Sequence, residues 1–463
     1  MSTNLFNPAD KRSYPARWPL IRGKQLFQEI DERSKDGTEE LLSVSHITGI
    51  TPRSQKNVTM FQAESLVGYK LCKTGDIVAN TMWTWQGAIG VSKFAGVVSP
   101  AYNVYRQKSD IFNPQYLDML LRERQLVDVY HSLSTGIRPS RLRLYPDVFL
   151  TIKLPVPPRE EQDQIVCFLD WKVSSINKLI SNYRHQIALL DEMKQRQIDE
   201  AAIKGMRKSV ITHNDDMRWN IDYPEHWEIQ RTRKSFSFRK GLSITKANLE
   251  ETGIAVISYG QVHSKKNSGV ALNGDLIRYV NEAYLTTNQS CLVEKGDFIF
   301  ADTSEDVAGC GNCAYIDWDD TIFAGYHSII AHPDGSINSK YLAYLFKSPT
   351  WRYQIRKKVN GVKVYSITQK MLKDTFILIP PIDEQEEIIR YLDEVYAKID
   401  VTIKKMEAKI ANLQDLKICL IADTVTGKID VRGIEIPEYE FVDEDADADN
   451  EDDGEEDTEE QED

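Results

Sequence analysis

LPVPPREEQDQIVCFLD (residues 154–170) returns 223 residues later as ILIPPIDEQEEIIRYLD (377–393). Pro157, Pro158, Glu161, Gln162, Ile165, Leu169 and Asp170 recur as Pro380, Pro381, Glu384, Gln385, Ile388, Leu392 and Asp393. The match continues without a gap through Ile176/Ile399, Ile187/Ile410, Leu190/Leu413, Lys194/Lys417 and Ile198/Ile421. A repeat of this length dictates architecture before any local pattern does. Each copy opens on a proline pair, which interrupts a strand ladder but fits a first helical turn. Acidic residues follow (Glu160 and Glu161; Asp383 and Glu384), where the partial positive charge of a helix N-terminus favours them.

Apolar residues then recur at alternating steps of four and three. They are Leu169, Val173, Ile176, Ile180, Tyr183, Ile187 and Leu190 in the first copy, and Leu392, Tyr396, Ile399, Ile403, Met406, Ile410 and Leu413 in the second. This heptad seam predicts two long helices packed as a coiled coil. About forty residues at 1.5 Å each give rods of about 60 Å. Burial of two amphipathic helices in separate cores is the plainer alternative, but equal length and spacing favour mutual packing.

The segments preceding the two rods are weakly alike. PARWPLIRGKQLF (15–27) resembles PEHWEIQRTRKSF (224–236), and KTGDIVAN (73–80) resembles EKGDFIFAD (294–302). Asn113, Tyr116 and Leu117 match Asn338, Tyr341 and Leu342. Short Val/Ile/Tyr runs punctuated by Gly and Asn predict strands, and each segment adds helix candidates. The expected fold class is therefore α/β (α+β): two globular domains, each followed by a rod. The predicted boundaries are 1–153 and 219–379 for the globules, 154–218 and 380–434 for the helices, and 435–463 for an acidic disordered tail.

The totals agree. A chain of 463 residues exceeds the roughly 250–300 that one core supports. It carries no run of about 18 apolar residues that would span a membrane. Its N-terminal stretch lacks the apolar region of a secretion signal. Six cysteines (72, 167, 291, 310, 313 and 419) make no disulfide framework, and a cytoplasmic location is expected. From Asp443 to Asp463 there are 15 Asp and Glu and no Lys or Arg. Those carboxylates exceed the net charge of −13, so the body of the chain is slightly basic. Such a self-repelling run is expected to be disordered, either as a solubilising tail or as a polyanion competing with nucleic acid.

The twice-written PP-x-x-EQ-x-x-I-x-x-x-LD, each copy leading into a heptad helix and preceded by its own α/β globule, resembles the specificity subunit of type I DNA restriction-modification systems. The resemblance covers residues 15–430 or so, and TEELLSVSHITGITPR (38–53) resembles a common first-domain subtype. It implies two target recognition domains, each reading one half of an asymmetric double-stranded DNA target. It also implies that the rods pack antiparallel about a pseudo-two-fold axis, set the spacing of the half-sites and dock two methyltransferase subunits. S-adenosylmethionine would then bind the methyltransferase partners, and ATP and magnesium the restriction subunits, with no cofactor in this chain.

The residues bear on the alternatives. A phosphate-binding Gly-x-x-x-x-Gly-Lys-[Ser/Thr] loop and a Gly-x-Gly-x-x-Gly turn are both absent. NPQY (113–116) resembles the Asn-Pro-Pro-Tyr loop of adenine methyltransferases but lacks the second proline, and reads as a helix start. A self-sufficient methyltransferase would need cofactor loops that are not found, and a plain coiled-coil scaffold would leave the polar loops unexplained. Cys310-Gly-Asn-Cys313 is a single pair where a structural zinc site takes about four ligands; Cys291 and His327 could complete the set, but a tight turn between strands is the expectation, and no metal site. The DNA-contact candidates are polar and basic loop residues. In the first domain they are Ser45, His46, Thr48, Trp83, Gln86, Arg138, Arg141 and Arg143. In the second they are Lys240, Lys246, Tyr259, Gln261, His263, Lys358 and Lys363. The arginines and Lys358 and Lys363 suit phosphates; Ser45, His46, Gln86, Gln261 and His263 suit base edges.

Overall fold

The computed structural model describes residues 14–443, apart from 47, 56–64, 137–141, 207–211, 215–218, 220 and 362. The chain forms two compact units, residues 1–184 with 407–463, and residues 185–406. The two long helices are present, Arg159–Ala202 and Ile382–Val425, with 44 residues each. The unit boundary falls within both helices, so each unit combines one globule, the first part of the helix that follows it and the last part of the other helix.

Within each unit the helix segments run antiparallel. In the first, Tyr183 lies under the Lys409 ammonium at 5.2 Å while Asn177 accepts from Lys417. In the second, Lys194 pairs with Asp400 while Gln197 accepts from Tyr391. Rising numbers on one segment meet falling numbers on the other. The seam is unevenly buried. Leu169, Ile176, Ile180, Leu392, Tyr396, Ile399 and Ile403 are buried, whereas Val173, Ile187, Leu190, Met406, Ile410 and Leu413 are half-exposed. Near each of its ends a long helix is also covered by a globule; between them it has less to pack against.

The repeated motif joins globule to helix in the same way twice. Glu161 accepts a hydrogen bond from the Trp18 indole at 3.0 Å, and Glu384 from the Trp227 indole at 2.9 Å. Gln162 accepts from the Asn113 amide at 2.8 Å and donates to the Pro157 carbonyl at 2.8 Å. Gln385 does the same with Asn338 at 2.9 Å and Pro380 at 2.8 Å. Asn113 and Asn338 in turn cap the helices Pro114–Leu121 and Ser339–Lys347. From these, the Tyr116 hydroxyl donates to the carbonyl of Val425 and that of Tyr341 to Ala202, the last residues of the two long helices. Each long helix is followed by a left-handed glycine, Gly427 or Gly205. A side chain there would strike Trp18 or Trp227.

Each globule is built on an antiparallel four-stranded sheet of the same order. In the first domain the neighbours are Phe27–Ile30, Asn103–Gln107, Ile77–Ala79 and Ile89–Val91; in the second, Phe236–Lys240, Ser328–Pro333, Phe298–Ala301 and Cys313–Tyr315. The matched Gly-Asp turns explain their own likeness. Gly75 and Gly296 adopt positive φ, and buried Asp76 and Asp297 accept from the backbone amides of Lys73 and Glu294. Arg106 then grips Asp76 through two 2.7 Å bonds, whereas His332 takes that place on Asp297 at 2.6 Å. Beyond this frame the domains diverge. The second adds a five-stranded sheet containing a parallel pair, Ile254–Ile257 with Ile322–Ala324. The first has two short pairs instead, Leu42–Ser45 with Gly49–Pro52 and Lys70–Cys72 with Gly96–Val98.

The acidic tail begins later than residue 435. Ile434 and Ile436 pack on the first core. Gln164 donates to the Ile434 carbonyl, Lys178 pairs with Glu440, and Asn177 donates to the Val442 carbonyl. Residues 435–443 contain apolar side chains and lie along the first long helix; the run from 444 falls outside the described residues.

Candidate nucleic-acid interface

In the first domain, strand register brings the end of Phe27–Ile30, the start of Asn103–Gln107, the end of Ile77–Ala79 and the start of Ile89–Val91 to one end of the sheet. The connection 80–88 crosses that end. It folds tightly because the Asn80 carbonyl accepts from Trp83 N and Thr84 N, and Gly87 closes the turn at φ 102°. Gln86 is exposed there. Trp83 stacks on Trp85 at 6.2 Å, and Trp85 leans on His131 at 5.5 Å. His46 lies beside this loop, since a side chain at Gly87 would come within 4.0 Å of the His46 Cβ. A third segment joins the cluster: Thr135 pairs with Arg143, and Leu144 N donates to the Thr81 carbonyl at 3.3 Å. Arg143 is exposed at the base of this turn, whose Arg138 and Arg141 fall outside the described residues.

The fold thus gathers His46, Trp83, Gln86 and Arg143. It turns two other candidates inward. Ser45 is buried, and the Thr48 hydroxyl is shut away from solvent. The hairpin that carries them packs against the domain core, so neither hydroxyl faces a ligand. Trp83, half-buried on a core cluster, offers only part of its ring.

The second domain has the same sheet end, reached by Lys240, Ala301, Ser328 and Cys313. Lys240, Lys246 and Lys363 are exposed. The segment after Lys363 reaches this end through the pairing of Tyr365–Ser366 with Thr303–Ser304. Tyr259 is half-buried, its ring edge-on to Tyr326 at 5.5 Å and to His327 at 5.4 Å. Two base-reading candidates hold structural positions instead. Gln261 accepts from Ser258 N at 3.1 Å, closing a capping box on the helix Tyr259–His263. His263 has Nε2 2.8 Å from the Thr303 carbonyl and Nδ1 3.2 Å from the Asn312 amide. Both ring nitrogens are occupied within the domain. Lys358 is half-buried, and burial holds its ammonium below the usual lysine range while Asp374 opposes the shift. The sequence marked His327 only as a residue that could complete a zinc site with the cysteine pair and not as a DNA contact, because the place where a strand begins is not written in any single residue.

Cys310-Gly-Asn-Cys313 is a tight turn, with Asn312 N bonded to the Gly309 carbonyl and Gly311 at φ 91°. Among the described residues no three His, Cys, Asp or Glu side chains are grouped to hold a metal ion. Burial pushes the Cys313 thiol up to about 12 and the Cys72 thiol up to about 11. Because thiolates are the reactive form, iodoacetamide at neutral pH is expected to label the exposed Cys167 and Cys419 quickly. The four buried thiols should label only after unfolding. Fast labelling of Cys310 or Cys313 in the native chain, read by peptide mass, contradicts that packing.

The family model for the type I restriction modification DNA specificity domain matches residues 224–412. The specificity subunit of type I restriction enzyme MjaVIII from Methanocaldococcus jannaschii is 23% identical over 419 residues, covering 89% of this chain and 91% of that protein. The specificity subunit of the EcoKI enzyme from Escherichia coli is 23% identical over 313 residues, covering 64% and 62%. A chain solved in a study of complex assembly and conformational transition of the type I R-M system superposes with a TM-score of 0.60 at 14% identity. It covers 90% of this chain and 100% of that one, which is a likeness of fold.

Proposed function

We propose that this chain, which belongs to the specificity subunits of type I restriction-modification systems, reads a split DNA target with one domain per half-site. It is a sequence-specific DNA-recognition subunit without catalytic activity of its own, and it assembles with modification and restriction subunits. The observation that carries the half-site reading is the shared sheet end: one frame, built twice, presents two different sets of polar and basic loops. A repeat within one chain imitates a dimer reading two half-sites. Because the loops differ, the two halves of the target differ.

In this reading the basic loop residues hold phosphates, which fix register and supply salt-dependent affinity. Arg138, Arg141 and Arg143 do so in the first domain; Lys240, Lys246 and Lys363 do so in the second. His46 and Gln86 are the first domain's base-reading candidates. The long helices dock two methyltransferase subunits, which bring S-adenosylmethionine; the restriction subunits bring ATP and magnesium. No described helix is long and apolar enough to cross a membrane, and the cytoplasm, where the DNA is, is the proposed location.

Mapping methylated adenines across the genome with and without the gene tests this function. The expected result is one bipartite motif that disappears with the gene; an unchanged methylation map overturns it. Replacing Arg141 or Arg143 by Ala is expected to weaken binding to all sequences alike. It should reduce the magnitude of the slope of log K against log salt by about 0.9 for each phosphate left without its cation. Titrations at several salt concentrations measure it, and an unchanged slope removes that residue from the phosphate set.

A further inference from the structure

His327 is the one non-glycine residue with positive φ among those described, at 53°. A left-handed backbone disfavours a side chain and persists only where its surroundings enforce it. Here they do. The Tyr326 carbonyl accepts from Tyr259 N, the His327 carbonyl accepts from Asp302 N, and Ser328 begins the strand paired to Ala301. The ring stands edge-on to Tyr259 at 5.4 Å and to Tyr326 at 6.1 Å. Its Nδ1 lies 3.2 Å from a carboxylate oxygen of Asp302 and 3.5 Å from the Thr303 hydroxyl. Despite these contacts the side chain is 59% exposed. A carboxylate on Nδ1 selects the tautomer with hydrogen there, which leaves Nε2 as an acceptor.

The first domain has the matching place. Tyr102 precedes Asn103 as His327 precedes Ser328, and Asn80 follows Ala79 as Asp302 follows Ala301. There the Asn80 amide donates to the Tyr102 hydroxyl at 3.2 Å. One pair of positions at the same sheet end therefore carries a bonded polar pair in both domains, with different chemistry in each. The frame around the pairs is shared, so the frame does not account for the difference.

We propose that His327, oriented by Asp302, reads a base in the second half-site, accepting a hydrogen bond at Nε2 from the exocyclic amine of adenine or cytosine in the major groove. This deepens the DNA-recognition function and rests on it. Lys240 and Lys363, exposed near the same sheet end, flank the contact for phosphates.

The test uses the full chain assembled with its methyltransferase partner and duplexes randomised in each half-site in turn. His327→Gly removes the ring without backbone strain. It is expected to lower discrimination at one base pair of one half-site by on the order of tenfold, with the other half-site and non-specific affinity unchanged. Asp302→Asn keeps the shape but no longer fixes the tautomer, and should relax the same base pair; it carries the test if the glycine variant does not fold. Uniform weakening across all sequences, or unchanged preference in both variants, overturns the assignment and leaves the DNA-recognition function standing. A wild-type complex with no preference in the second half-site overturns both.

Discussion

Replacing Gln385 by Ala is expected to destabilise the second unit by roughly 2–5 kcal/mol, and replacing Gln162 by Ala to do the same to the first. Each glutamine is buried. Each joins a helix-capping backbone amide to a proline carbonyl through bonds of 2.8–2.9 Å. Truncation leaves both backbone groups unsatisfied in a place water does not reach, and each orphan costs about 1–3 kcal/mol. The cavity left by the side chain adds to this. Because the two sites share these two bonds, the two costs should be similar, with Gln162 also losing a 3.1 Å bond to the Ile111 carbonyl, and each should fall on its own unit. Hydrogen exchange read peptide by peptide distinguishes the units. If either substitution costs less than about 0.5 kcal/mol in denaturant titration, the motif is not the joint described here.

That joint explains which parts of the molecule were legible in the sequence. Pro157 and Pro158 act locally, and Glu161 and Gln162, whose partners Trp18 and Asn113 lie 143 and 49 residues away, stand out because the same joint is built twice and needs the same residues twice. The repeat, the helix starts and the heptad seam were therefore readable. Asn113 was readable for a related reason: a cap is a local device. Ser45 and His263 were not, because their fates depend on how the chain folds around them; for Gln261 the local Ser258-x-x-Gln261 capping-box spacing was present in the sequence and was passed over. A serine on a hairpin faces core or solvent according to strand register. Gln261 is spent on capping its own helix, and His263 meets Thr303 and Asn312, some forty to fifty residues distant. As a DNA contact His327 was invisible for the converse reason. Its backbone is forced left-handed by pairing with strands that a linear reading does not place.

The tail boundary follows the same physics. Counting charge marks 443–463 clearly, but residues 435–443 look like its beginning only until Ile436 and Val442 are seen against the first core and the first long helix. Composition measures what a segment would do alone. Here a few contacts with Gln164, Asn177 and Lys178 outweigh it.

Exchanging residues 15–153 for the corresponding domain of a relative with another target is expected to change one half of the methylated motif and leave the other half intact. The three contacts that join this domain to helix ends lie in its own unit. Trp18 reaches Glu161, Asn113 reaches Gln162, and Tyr116 reaches the Val425 carbonyl. A donor domain that supplies a tryptophan, an asparagine cap and a tyrosine at these positions meets the same three acceptors. The second domain uses its own set, Glu384, Gln385 and the Ala202 carbonyl, and is not asked to change. Each mismatched base pair costs about 1–3 kcal/mol. Two or three altered positions should therefore reject the old target by at least about thirtyfold. Sequencing of methylated adenines in cells carrying the exchanged chain reads the outcome. Loss of all methylation together with loss of folding faults the seating contacts. A folded, active chimaera in which both halves of the motif change, or neither does, contradicts one domain reading one half-site.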